Sequence, residues 1–190
     1  MGRRGRLSLL DYTLYFVTTT VTDFTPVFSI PECCDILIRN IRYYRNQYHF
    51  QIYAYVIMPT HFHWILEVDP NYAILSSVTR DIKKHSAWDI MDYLQVAGCS
   101  DFLQTFSRAA SEIKNQRRKF WMKRFDDAYI RNDNMFESRV NYIHHNPVKA
   151  GLVVRPEDYK YSSARNYVFG DHSVLDVIVG GQCAGYGVSR

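Results

Sequence analysis

No run in this chain of 190 residues is long and apolar enough to span a bilayer, which excludes a helical membrane protein. The basic opening Met1-Gly2-Arg3-Arg4-Gly5-Arg6 lacks the hydrophobic stretch and small-residue cleavage site of a secretory signal. The four cysteines, Cys33, Cys34, Cys99 and Cys183, lack the spacing of a zinc ribbon or a CxxC redox pair. Adjacent Cys33 and Cys34 also make a poor disulfide framework, so reduced thiols in a cytoplasmic protein are expected. No internal repeat is visible, which argues against a solenoid. Acids are nearly missing from residues 104–124, where Glu112 stands alone.

What is present fits one domain. The length is that of a single core, and a 47% hydrophobic fraction is enough to build it. The net charge of +4 is modest, so the distribution of charge decides more than its total. Residues 1–11 read as a basic arm, 12–165 as the domain, and 166–190 as a tail that turns glycine-rich from Gly180.

Residues 13–21 are dense in β-branched and aromatic side chains and predict a strand. A loop with two prolines follows, then a helical stripe over 32–47 with Pro31 as its start signal. Strands are predicted over 50–58 and 61–68, joined by Pro59-Thr60, a connection tight enough for an antiparallel pair. A long helical pattern over 73–94 has Leu75, Val78, Ile82, Ser86, Ile90 and Tyr93 recurring at steps of three and four. Residues 95–103 read as a loop and 127–131 as a short strand. Asp133 or Asn134 is placed to cap a helix over 134–146, which Pro147 should end by disfavouring helical backbone in the residue before it. Leu152-Val153-Val154 reads as extended. The order strand, helix, strand, strand, helix, strand predicts an α+β, ferredoxin-like β-α-β-β-α-β fold, with a mainly antiparallel sheet and helices on one face.

Within the third strand, side chains alternate between faces. His61, His63, Ile65 and Glu67 share one face, while Phe62, Trp64 and Leu66 share the other. Two neutral imidazoles side by side can hold one divalent metal, although the same spacing also suits surface or hydrogen-bonded histidines.

The acid-poor stretch carries Arg108, Lys114, Arg117, Arg118, Lys119, Lys123 and Arg124, with Trp121 and two phenylalanines interleaved. Arg80, Lys83 and Lys84 lie off the buried stripe of the preceding helix. A charge run is often only a solvated face. Cations for phosphates beside aromatics for bases are nevertheless what a single-stranded nucleic-acid site needs. In the late helix, Phe136, Val140 and Ile143 form the buried stripe, and Tyr142, Asn146 and Arg139 lie on a flank turned away from it.

Two segments resemble a known signature. They are Val56-Ile57-Met58-Pro59-Thr60-His61-Phe62-His63 and Tyr142-Ile143-His144-His145-Asn146-Pro147-Val148-Lys149-Ala150-Gly151-Leu152-Val153, the second followed by Arg155-Pro156-Glu157-Asp158-Tyr159-Lys160-Tyr161-Ser162-Ser163. In that order and separation they resemble the single-tyrosine HUH transposases, in particular the REP-associated branch. The resemblance runs from about Tyr15 to Ser163. It implies that His61 and His63 hold a metal, that Tyr142 is the nucleophile, and that Asn146 helps complete the metal shell. It also implies single-stranded DNA with hairpin structure as partner and a covalent 5′-phosphotyrosine intermediate. Thr60 departs from the residues common in the family's motif, and His144-His145 from a more varied pair, with His145 exposed and placed to touch DNA.

Imidazoles alone would favour zinc or another transition metal. The resemblance implies Mg2+ or Mn2+, with DNA phosphate oxygens filling open positions, and that is the expected cofactor. It leaves both a monomer and a homodimer open. The competing expectations are a nucleic-acid-binding protein without catalysis, acting as repressor or scaffold, and a metallohydrolase that activates water.

Overall fold

In the computed structural model, residues 13–114, 116–123 and 125–179 are described. The expected N-terminal arm, Arg124, Cys183 and the stretch from Gly180 lie outside them. Strand β1 (Leu14–Thr20) leads through two short 3-10 turns into α1 (Pro31–Tyr48). Pro31 opens α1 at a position where its missing N–H costs nothing, and His49 closes it in the left-handed region, donating its N–H to the Arg45 carbonyl at 2.8 Å. Strands β2 (Gln51–Met58) and β3 (His61–Glu67) form the predicted hairpin around Pro59 and Thr60. Then come α2 (Leu75–Val96), α3 (Ser100–Arg108), β4 (Asp126–Tyr129), α4 (Asp133–Lys149) and α5 (Ala164–Phe169).

The sheet order is β2-β3-β1-β4, with every neighbouring pair antiparallel. The α+β class and the antiparallel β-α-β-β-α-β arrangement are therefore observed, with α3 as an addition. The helices do not keep to one face. Phe62, Trp64 and Leu66 of β3 pack with Ile36, Leu37 and Ile41 of α1 and Val78 and Ile82 of α2. On the opposite face Phe16, Val56, Met58 and Ile65 pack with Phe136, Val140 and Ile143 of α4. Both faces of the central strands are apolar, so each must be covered, and α4 covers the second.

Several boundaries differ from those the sequence predicts. Part of the 95–103 loop is helical, as α3. The cap of α4 is Asn132, whose side chain accepts the Met135 N–H at 2.8 Å, rather than Asp133 or Asn134. Helix α4 also runs through Pro147 to Lys149. Pro147 is buried, and the turn around it is closed from downstream: Asn146 accepts the Ala150 N–H, Pro147 that of Leu152 and Val148 that of Gly151, at 2.9–3.0 Å. Gly151 takes φ +69, which favours glycine. Leu152-Val153-Val154 consequently forms a turn rather than extended structure, with Val154 87% exposed. Ser162 bridges to Val56 on β2, and the expected domain end at 165 falls inside α5. Beyond α5, Leu175 and Val177 are buried, and Ile178 donates its N–H to the Ile52 carbonyl at 2.9 Å.

Candidate functional site

The register of β3 against β1 places Thr18 opposite His63 and Thr20 opposite His61. Directly opposed residues bring their Cβ atoms within about 4.5–5.5 Å. As a result Thr18 Oγ1 lies 2.8 Å from His63 Nδ1. The tautomer in which Nδ1–H donates to Thr18 leaves the Nε2 lone pair available. That Nε2 is buried and has no hydrogen-bond partner among the described residues. Leaving such a group unsatisfied costs about 1–3 kcal/mol. Thr19 Oγ1, Thr22 Oγ1 and Trp64 Nε1 are likewise buried without a partner, and of the four His63 Nε2 is the imidazole nitrogen, the type suited to bind a metal. His61 is held in the same way, its Nδ1 2.9 Å from Thr60 Oγ1, and the two rings stand 4.7 Å apart between centroids.

Burial pushes His63 down to about 3, and the neighbouring His61 ring and the Arg139 guanidinium push in the same direction. Burial lowers His61 as well. Both rings are neutral near pH 7, the form that binds metal.

Tyr142 comes to this pair from the opposite layer. Burial of Phe136, Val140 and Ile143 fixes the rotation of α4 about its axis, and the flank carrying Tyr142 then meets the sheet over His63. The Tyr142 ring stands 5.2 Å from the His63 ring and 5.9 Å from Phe16, edge-on to both. Phe16 in turn stacks on His63 at 5.6 Å. Tyr142 remains 36% exposed, so it is braced on one side and open on the other. Two cations flank it: Arg139 lies over the Phe16 ring at 4.8 Å, and Lys149 Nζ lies 5.6 Å from the Tyr142 centroid. Such an arrangement favours a phosphate beside the phenol.

Asn146 donates Nδ2 to the Tyr142 carbonyl at 2.9 Å, which leaves its amide oxygen as an acceptor. Among the described residues no group of three His, Cys, Asp or Glu could hold a metal ion. Two neutral imidazoles suit a divalent cation only as an open site, with most of its positions left to outside donors. His145 is exposed and its Nδ1 lies 2.9 Å from the Asn141 carbonyl. Its neighbour His144 is buried, with Nε2 2.9 Å from Ser163 Oγ.

The other sequence-predicted residues gather on the α2 side of the sheet. Arg80, Lys83, Lys84, Arg118, Lys119 and Lys123 line a cavity of about 670 Å3. Lys114, Arg117 and Arg118 line a second, of about 920 Å3. Arg108 is exposed in the last turn of α3, outside both linings. Two expectations need correction. Trp121 is not an exposed stacking ring: it is 7% exposed, packs on Phe28, Phe62 and Phe120, and donates Nε1–H to the Lys83 carbonyl at 2.9 Å. Lys83 is not a free phosphate contact, because its Nζ donates to the Met122 carbonyl at 2.8 Å and burial pulls it down to about 8. Both residues fasten the segment around Met122 to α2. Met122 also donates its N–H to the Thr20 carbonyl at 2.9 Å, one strand from His61, so the cavity wall joins the histidine pair through β1.

Sequence reasoning missed Thr18, Phe16, Lys149 and Trp88. Lys149 had a signal, since it lies seven residues, about two helical turns, beyond Tyr142. Thr18 and Phe16 had none, because strand register is not legible in one sequence. No helix among the described residues is long and apolar enough to cross a membrane.

No family model matches the chain. A protein of Haemophilus influenzae assigned to the REP-associated tyrosine transposases is 26% identical over 163 residues, covering 82% of this chain and 74% of that protein. A REP-associated tyrosine transposase of Escherichia coli K12 is 31% identical over 114 residues; this covers 60% of the chain, which spans only 54% of that relative. A solved structure of a REP-associated tyrosine transposase bound to a REP hairpin shares the fold, with a TM-score of 0.61 and 24% identity over 95% of this chain and all of that one. Both relatives come from one branch, so the chain is similar in sequence to the REP-associated tyrosine transposases, and it shares the fold of the solved one.

Proposed function

We propose that the chain is a metal-dependent single-stranded DNA strand-transferase acting at hairpin-forming palindromes. The observation that carries this reading is the Tyr142 ring braced against His63, whose buried Nε2 has no protein partner. His61, His63 and the Asn146 oxygen would hold Mg2+ or Mn2+, which when bound would neutralise phosphate charge and stabilise the extra charge of the transition state.

The chain's own residues supply orientation and charge. Phe16 and His63 restrict the Tyr142 ring to one approach, which contributes positioning. Arg139 and Lys149 supply positive potential around the phenol, whose ordinary pKa of about 10 leaves it protonated at neutral pH. Tyr142 Oη attacks phosphorus as the bond to the 3′ oxygen breaks. The phenol proton is lost to solvent, and the departing oxygen becomes a 3′ hydroxyl. The aryl phosphate preserves a reactive ester, so a 3′ hydroxyl can attack it and restore a DNA strand. The solved relative is bound to a REP hairpin, which supports the substrate class. Tyr142 reaches the histidines within one chain, so a homodimer is not required to bring them together. Cys33, Cys34 and Cys99 carry free thiols, in keeping with a cytoplasmic setting.

The test is a labelled single-stranded hairpin with Mn2+. Wild type should form a covalent protein–DNA species, and Tyr142→Phe should form none while binding within about two-fold of wild type, since one hydroxyl adds little to a multi-contact interface. An adduct in the Phe variant removes Tyr142 as nucleophile. Cleavage without adduct in both proteins would instead indicate attack by water, and binding without adduct in wild type a non-catalytic binder.

A further inference from the structure

We propose that Trp88 is a stacking platform for an unpaired base of the DNA strand that flanks the hairpin. The inference takes only the nature of the partner from the proposed function. Of the three tryptophans, Trp64 is fully buried and Trp121 is 7% exposed, whereas Trp88 is 50% exposed. Trp88 lies two residues from Ser86 and two from Ile90, both buried, so each step of about 200° turns it away from the core. Half of a large indole is thereby left open on the outer face of the helix.

Its surroundings suit a base. Trp88, Met91, Gln116 and Arg118 line both basic cavities, which places the indole where the two meet. The smaller volume, about 670 Å3, is of the size that encloses a drug-sized molecule. A nucleotide fits that space and a duplex does not. The ring is also held in place. Lys84 Nζ lies over it at 4.7 Å, and the His85 ring meets it nearly edge-on at 5.1 Å. A braced ring loses little freedom when a base stacks on it.

Charge points the same way. Lys119, Lys123, Lys114 and Arg117 stand around the two cavities and can follow a phosphate backbone. Of the three acids of α2, Asp81 is engaged by Arg80 and Tyr48 and Asp89 by the Asn40 amide at 2.8 Å, while Asp92 is exposed one turn beyond Trp88 and outside both linings. A paired base hides its faces within the stack, so the occupant must come from a single-stranded segment.

Binding should be measured in the Tyr142→Phe background, so that adduct chemistry does not enter. One ligand is a hairpin with an unpaired extension, the other the same stem with blunt ends. Trp88→Ala should weaken binding of the extended hairpin roughly ten-fold and change the blunt one by less than about two-fold. Trp88→Phe, which keeps a ring, should retain most of the affinity. Because Trp88 is the exposed indole, the extended DNA should quench intrinsic fluorescence and the blunt DNA should not. Equal loss on both ligands, no loss on either, no quenching, or no DNA binding at all would overturn the proposal. So would a change in oligomeric state with Trp88→Ala, which would indicate a second copy of this chain as occupant. A wild-type protein that forms no adduct but shows this selectivity would defeat the strand-transferase reading and leave Trp88 as the platform.

Discussion

On the α4 face of the sheet, the candidate groups are few and braced against one another. Tyr142 leans on His63, His63 is fixed by Thr18, and Phe16 packs between strand and helix. On the α2 face, many cations surround two open cavities; Arg80, Lys83 and Arg118 among them are hydrogen-bonded to Asp81, the Met122 carbonyl and Gln95. The difference suits the roles proposed for the two faces. Bond breaking would depend on sub-ångström placement, which a strand and a helix locked by apolar packing provide. Holding a polyanion would depend on summed charge, which tolerates mobile side chains. Removing one group should be severe on the first face and graded on the second.

The sharpest break of that contrast is His63→Ala. Adduct formation with Mn2+ should fall more than about 100-fold, because even groups that only support a metal ligand are worth 10–100-fold. Hairpin binding measured by gel shift should stay within about two-fold. Equal loss of binding and adduct would mean that both faces grip DNA in the same way. Thr18→Val, which keeps shape and removes the hydroxyl, is the milder form of the experiment. It should cost about 10–100-fold in Mn2+ affinity or adduct rate through loss of His63 orientation. An unchanged Mn2+ titration would show that β1 contributes only backbone to the site.

The groove should answer differently. Lys123→Gln and Lys119→Gln should each weaken binding several-fold and lower the salt slope, log affinity against log salt, by roughly 0.7–0.9. Adduct rate at saturating DNA should not change. A fall in that saturating rate would place these lysines in the chemical step and erase the division between faces.

How much of this could be read beforehand depends on the range of the interactions involved. The shared face of His61 and His63 was legible because strand parity is local, and the exposed flank of Tyr142 because helical angle is local too. Their meeting was not, since it requires α4 to cross to the second face. A hint existed in β2, where residues 52–58 are apolar at every position, the pattern of a strand covered on both sides. Trp121 misled because the stretch around it is rich in cations, while the ring itself packs on Phe28, Phe62 and the adjacent Phe120. Pro147 misled because the rule for the residue before proline is a preference, and burial of Pro147 together with the downstream N–H donors outweighs it.

The smallest expected effect separates the faces by pH. His144 is buried on the α4 side, 2.9 Å from Ser163 Oγ and edge-on to the Tyr167 ring, and burial pushes it down to about 4, with His145 adding in the same direction. Its folded value lies below the unfolded value of about 6.5, so the unfolded chain takes up the proton first. The contribution is therefore complete above about pH 6.5 and is lost as pH falls toward 4. Between pH 7 and 5 this one group should account for about 2 kcal/mol of lost unfolding free energy. His144→Gln keeps a hydrogen-bonding side chain that does not titrate, so urea titrations at the two pH values should show a correspondingly smaller fall. Lowered His63 acts in the same direction and remains in the variant. Hydrogen exchange at pH 5 should then show α4 amides losing protection before those of α2, which packs with α1 on the other face of the sheet. Uniform loss across both helices would mean that the sheet couples the two faces into one cooperative unit, and that the division between them is one of chemistry alone.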